Sequence, residues 1–272
     1  MAVSSKLHRL IDAVAPYWAG EAEVFRTYWS SPKRTRATDL LWLNRQCFKE
    51  IWGVGLADKK LGLFLGPLEK LRAAFPKIDL EMDRHEVLDI AEGLWAEFAH
   101  YCAFADAHDG LLEPGEQKLN PQLLTWWKED EDLSALRYGH QEARGRLGLR
   151  ACRFTEGGYC TLFSEGMRLK DSPASAFAKA DRLIAAACAR VYDDEFSHML
   201  KGIGGLDEEN LADADWQALG DMCVEQLRGR IIMRNAQFSH PLSDARLARA
   251  LEGRCAPVAF DFAGLSEGKT YL

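Results

Sequence analysis

The sequence predicts an all-α protein: one helical domain whose core is flanked by further helices at the N- and C-terminal ends. Three observations carry this reading. Apolar residues recur every three to four positions along most of the chain, the period of a helix with one buried face. Alternating β-branched residues, the mark of a strand, are nearly missing before the C-terminal tail. The periodic runs stop at helix breakers, such as Pro76 and the GIGG at 202–205.

Taken in order, residues 5–30 read as one or two short amphipathic helices rich in aromatics. The polar, basic stretch SPKRTRAT separates them from DLLWLNRQCFKEIW, a helix with Asp39 near its start. The following segment carries Gly53, Gly55, Gly62, Gly66 and Pro67, which allow close packing or a kink. Residues 84–107 form a strongly periodic helix and 109–122 a loop. A helix over about 133–170 turns at KDSPAS into a second strong helix over 175–202. Two more helices occupy 207–234 and 241–253, and the tail is irregular. No linker or low-complexity segment divides the 272 residues.

Composition removes several function classes. The chain is 47% hydrophobic and 28% charged, as globular proteins are, and its net charge of −7 offers no basic face for nucleic acid. No run reaches the roughly 18–20 apolar residues of a membrane span, and the N-terminus lacks the apolar segment of a signal peptide. Seven cysteines with no C-x-x-C pair, several of them (Cys102, Cys152, Cys188) in apolar helical stretches, read as reduced, buried thiols of a cytoplasmic protein. No phosphate-binding glycine loop, nucleophile elbow or zinc-type cysteine cluster is present.

Chemistry concentrates in two short segments, AEFAH at 96–100 and DEFSH at 194–198. Residues three apart share a helical face, so Glu97 points with His100 and Glu195 with His198. The helix around Glu97 is apolar nearly all round, which predicts a central, buried helix. A carboxylate and an imidazole placed there must be paired, neutralised or bound to a metal. The spacing alone is a weak signal in a chain this rich in glutamate; the apolar setting on both helices strengthens it. Glu156 adds a third carboxylate, on the face of Leu149, Cys152, Cys160 and Phe163, with two glycines after it that admit a neighbour. Counted from the turn near Pro173 it lies within roughly 8 Å of Glu195 along the axis.

Glutamates and histidines on facing helices are the ligand set of a carboxylate-bridged pair of metals, in which carboxylates balance charge and each imidazole caps one ion. In motif order and spacing, Glu97-x-x-His100, Glu156 and Glu195-x-x-His198 resemble the ferritin-like diiron carboxylate superfamily over about residues 40–202. The resemblance implies a ferritin-like four-helix bundle, with 1–35 and 207–272 as appended helices, holding two iron ions, or manganese. Its partners would be O2 and a small organic substrate, in an oxidase or oxygenase; a homodimer is compatible with it. It also implies a carboxylate from the first core helix, for which Glu50 and Asp58 rank equally; Glu69, beside Lys70, sits too near the Pro76 turn. Haem-oxygenase-like diiron oxygenases look similar too, and there Asp194 replaces Glu195 as the ligand paired with His198.

Each residue also has a plain structural reading. The histidines can bond their own i−3 glutamates, Glu156 can pair with Arg150 or Arg153, Glu165 with Arg168, and Arg228, Arg230 and Arg234 can form a solvated face. Tyr101, Tyr159 and Tyr192 read as core aromatics, and the whole as a metal-free helical scaffold.

Overall fold

The structure is a computed structural model describing residues 4–52, 62–171, 176–260 and 262. Among them the chain is all-α: α1 (Ser5–Trp29), α2 (Arg36–Trp52), α3 (Gly62–Ala74), α4 (Arg84–Asp109), α5 (Lys128–Arg144), α6 (Arg146–Phe154), α7 (Gly157–Met167), α8 (Ala178–Ile203), α9 (Asp213–Gln237) and α10 (Asp244–Leu251), with short 3-10 turns between some of them. The described residues hold no strand, only an isolated bridge between Ile78 and Met82. No described helix is long and apolar enough to cross a membrane.

The N-terminal segment is one helix of 25 residues that carries Pro16 internally. Its start is fixed by Ser4, whose hydroxyl accepts from the Leu7 amide at 3.1 Å. The basic stretch after α1 is tied inward: Arg34 reaches both Asp39 (2.9 Å) and Asp181 (2.7 Å), and all three are buried. The Tyr28 hydroxyl donates to Asp39 at 2.7 Å.

Two expectations need correction. The single helix expected over 133–170 is three helices. Gly145 takes a left-handed φ of +50°, which a residue with a side chain adopts at a cost, and there α5 ends and α6 begins. A tighter turn at Thr155–Glu156 then separates α6 from α7, with Glu156 N donating to Arg153 O, three residues back, at 3.0 Å. The second correction concerns α4. It is not buried all round: Leu88, Trp95 and Phe98 are exposed, at 49%, 65% and 42%. Its C-terminal half, from His100 through Phe104 to Ala107, is the buried part.

Packing explains this asymmetry. α4 lies against α2, α3 and α8; α8 lies against α6 and α7; α1 lies between α7 and α9. One apolar cluster joins Trp42 and Cys47 of α2, Phe104 of α4, Phe163 of α7 and Ile184 and Val191 of α8. A second joins Trp18 of α1, Phe154 of α6, Met199 of α8 and Ile231 of α9. The polar cluster described next lies on α2, α4, α8 and the α6–α7 turn. Glycines let α1 close on that turn: a Cβ on Gly157 would meet the Trp18 indole at 2.5 Å, and one on Gly158 the Glu21 carboxylate.

Of the three arginines expected on a solvated face, two are placed otherwise. Arg230 and Arg234 have no solvent exposure, while Arg228 is exposed. The seven cysteines are all free; Cys102 and Cys255 are half-buried and the other five buried.

Candidate metal centre

Two triads of potential ligands form, each with one donor atom per residue within 4.8 Å of the others: Glu50, Glu97 and His100, and Glu156, Glu195 and His198. The first draws on α2 and α4, the second on the α6–α7 turn and α8. Every residue singled out in AEFAH and DEFSH is thus brought to one place. Of the first-helix candidates, Glu50 is there; Asp58 lies outside the described residues, and Glu69 is exposed on α3. Glu50 lies in the last turn of α2, whose end at Trp52 brings it beside Glu97 and His100.

The first triad centres on His100, which has no solvent exposure. Its Nδ1 faces Glu50 at 3.6 Å and Glu97 at 3.7 Å. These distances are too long for hydrogen bonds, and Nδ1 is a buried polar atom with no hydrogen-bond partner. The other ring nitrogen, Nε2, meets Asp194 Oδ2 at 3.1 Å. Asp194 therefore holds the imidazole by one nitrogen and leaves the other to the carboxylates. An outer carboxylate in this position fixes a metal-ligating histidine's tautomer and ring angle. Burial pulls the His100 pKa down, and the Glu50 and Glu97 carboxylates more than offset it, so the net shift is upward.

The second triad repeats the spacing. His198 Nδ1 lies 3.8 Å from Glu156 and 3.9 Å from Glu195. Its two carboxylates behave oppositely. Burial pushes Glu195 well above the usual carboxylate range, and the negative charge of Glu156 adds to it. Burial acts on Glu156 too, but the Arg153, His198 and Arg137 charges outweigh it and hold the group low. Arg137 reaches Glu156 at 3.1 Å and Arg153 at 3.5 Å, whereas Arg150, an expected partner, instead pairs with Glu209. His198 is shifted down, first by burial, and so favours the neutral imidazole that can donate a lone pair. Across the triads, Glu195 acts on His100, and Glu97 on both Glu195 and His198. Glu50 also acts on Glu195, so Glu50, Glu97 and Glu195 are all felt by both groups.

Beneath Glu50 lies a polar layer that is barely legible in the sequence. Gln46 Nε2 donates to Glu50 Oε1 at 2.5 Å. Its Oε1 in turn accepts from Arg234 and from Gln237, each at 3.1 Å. Arg230 and Arg234 share Glu21 at 2.7 and 3.4 Å, and both stack on Tyr159. The amide of Gln46 is thereby turned so that its NH2 meets Glu50. The i, i+4 spacing of Gln46 to Glu50 and of Arg230 to Arg234 was the available signal.

All four carboxylates, His198 and Tyr159 line a cavity of about 460 Å³, walled on its apolar side by residues such as Leu63, Ile90, Leu94 and Leu133. Tyr101 and Tyr192 pack at the core instead. Glu165 takes the surface ion pair expected with Arg168, at 2.8 Å, and adds one with Arg26. No protein-family model, curated protein or solved structure matches this chain.

Proposed function

We propose that the chain is a ferritin-like non-haem dimetal protein, binding two iron or manganese ions and using O2 to oxidise a small organic substrate. The observation that carries this reading is the pair of Glu/Glu/His triads, buried except for the half-buried Glu97 and His198, one of them with an imidazole nitrogen that has no hydrogen-bond partner. Four carboxylates within reach of two histidines are costly to bury without cations, and two divalent ions would balance their charge. The donor set therefore fits such ions. In a ferritin-like four-helix arrangement Glu50 and Glu156 would serve as the lone carboxylates and the two Glu-x-x-His segments as the remainder.

When bound, such metals supply one-electron chemistry toward O2. The chain's own residues do the rest. Asp194 orients His100, Gln46 orients Glu50, and the packed helices keep bulk water from the cavity floor. The position of Asp194 on Nε2 of His100 favours Glu195, rather than Asp194, as the ligand beside His198. It thus supports the ferritin-like arrangement over the haem-oxygenase-like one.

Metal analysis of the purified chain tests the proposal. About two iron or manganese ions per chain, lost with Glu97→Ala, is the expected result. A metal-free chain whose stability is untouched by Glu97→Ala would instead favour a helical scaffold with satisfied polar pairs.

A further inference from the structure

The cavity's charges point to a class of substrate, an inference that rests on the dimetal reading. Two divalent ions would neutralise Glu50, Glu97, Glu156 and Glu195. Lys49 is already paired with Asp130. What remains on the cavity lining is Arg137, Arg153 and Lys70 against the single carboxylate of Asp89. The metal-loaded cavity is therefore cationic, with an apolar wall opposite.

A second cavity, of about 630 Å³, adjoins the first, and Asp89, Gly93, Leu149, Arg153 and His198 line both. Two features of this seam single it out. Arg153 is the cation common to both cavities; its side chain is 32% exposed, and it reaches Glu156 only at 3.5 Å. Gly93 lies in the middle of α4, where glycine weakens a helix, yet a Cβ there would meet nothing within 4 Å. No packing neighbour requires a glycine at that position. The space beside it belongs to the two cavities.

We propose that an amphiphilic organic anion, a monocarboxylate with an apolar body, binds at this seam. Its carboxylate lies on Arg153 and its body runs past Gly93 and Leu149 toward Leu94 and Leu133. A guanidinium meets a carboxylate through two parallel hydrogen bonds, and an aliphatic body replaces water along the leucine wall.

The test uses the full chain loaded with zinc, which is redox-inert, and octanoate as the probe. Zinc content and octanoate binding are measured on the same sample, by elemental analysis and calorimetry. Octanoate is expected to bind while octylamine does not. Arg153→Gln should weaken octanoate about tenfold per zinc-loaded chain, and Arg153→Lys should recover part of the loss. Gly93→Leu, which fills the seam from a helix position, should abolish octanoate binding with zinc retained. A chain that holds two zinc ions but ignores octanoate overturns this inference alone. So does octanoate binding that both Arg153→Gln and Gly93→Leu leave intact, since the acid would then sit on the metals only. A chain that takes up no zinc overturns the dimetal reading and this inference with it.

Discussion

At the residue scale, neighbouring acids in DEFSH take different roles because of where a helix sends consecutive side chains. Asp194 meets His100 across the α4–α8 contact, whereas Glu195 is buried beside Glu156. Asp194→Ala should leave metal stoichiometry intact and weaken affinity by about 10–100-fold, the usual effect of removing the outer partner of a ligating histidine. Glu195→Ala should remove bound metal outright. Metal titrations of the two variants decide between them: retention by Glu195→Ala with loss by Asp194→Ala would sink the ferritin-like assignment. Gly93 gives a separate prediction. Alanine there fits open space on α4 and should raise stability by about 0.5–1 kcal/mol, read from the midpoint of urea unfolding.

At the scale of elements, the α1–α9 contact is held by charge as well as by packing. Glu21 on α1 is the carboxylate shared by Arg230 and Arg234 on α9, and all three side chains have no exposure. Glu21→Ala would leave two guanidiniums in the core without it, at a cost of about 3–5 kcal/mol. Chemical denaturation should show a large loss of stability, and a loss under about 1 kcal/mol would mean that Gln46, Gln237 and Tyr159 satisfy the arginines alone. This contact also marks where sequence reasoning stops. The helices over 84–107 and 175–202 were legible because their periodicity is uninterrupted and their i, i+3 pairs define a face. The arginines of RGRIIMR were not, because a buried ion pair with a residue some 200 positions away leaves no local pattern. The break at Thr155–Glu156 is hidden because apolar spacing, from Cys152 and Phe154 to Tyr159 and Cys160, continues through the turn, whereas Gly145 sits in the polar stretch GHQEARGR and is itself a stop signal. Glu50 and Asp58 could not be separated in the sequence because the contact that selects Glu50, its approach to His100 on α4, is made across helices and leaves no local spacing.

At the scale of the whole molecule, metal bound as proposed would link protons and folding through the buried carboxylates. Glu195 has a raised pKa in the folded chain. Its contribution to stability is therefore present below the ordinary carboxylate pKa and is lost as pH rises through the raised value, because a buried anion without a cation is then being formed. Metal reverses the penalty: a divalent ion needs the ionised carboxylate, displaces its proton, and binds the folded chain in preference to the unfolded one. Saturating metal at about a hundredfold over Kd would add about 2.7 kcal/mol, a rise in Tm of about 5–10 °C for a chain of this length. That increment should grow as pH rises, because fewer protons then compete with the metal for Glu195. Thermal melts with and without manganese across a pH series provide the measurement. An increment that stays constant with pH would show that the ion binds away from Glu195. An increment that survives Glu97→Ala unchanged would show that it binds away from both triads. In the expected case the two effects share one origin: Glu195 is buried among Glu50, Glu97 and Glu156, a proton keeps it neutral without metal, and a bound ion would take that proton's place.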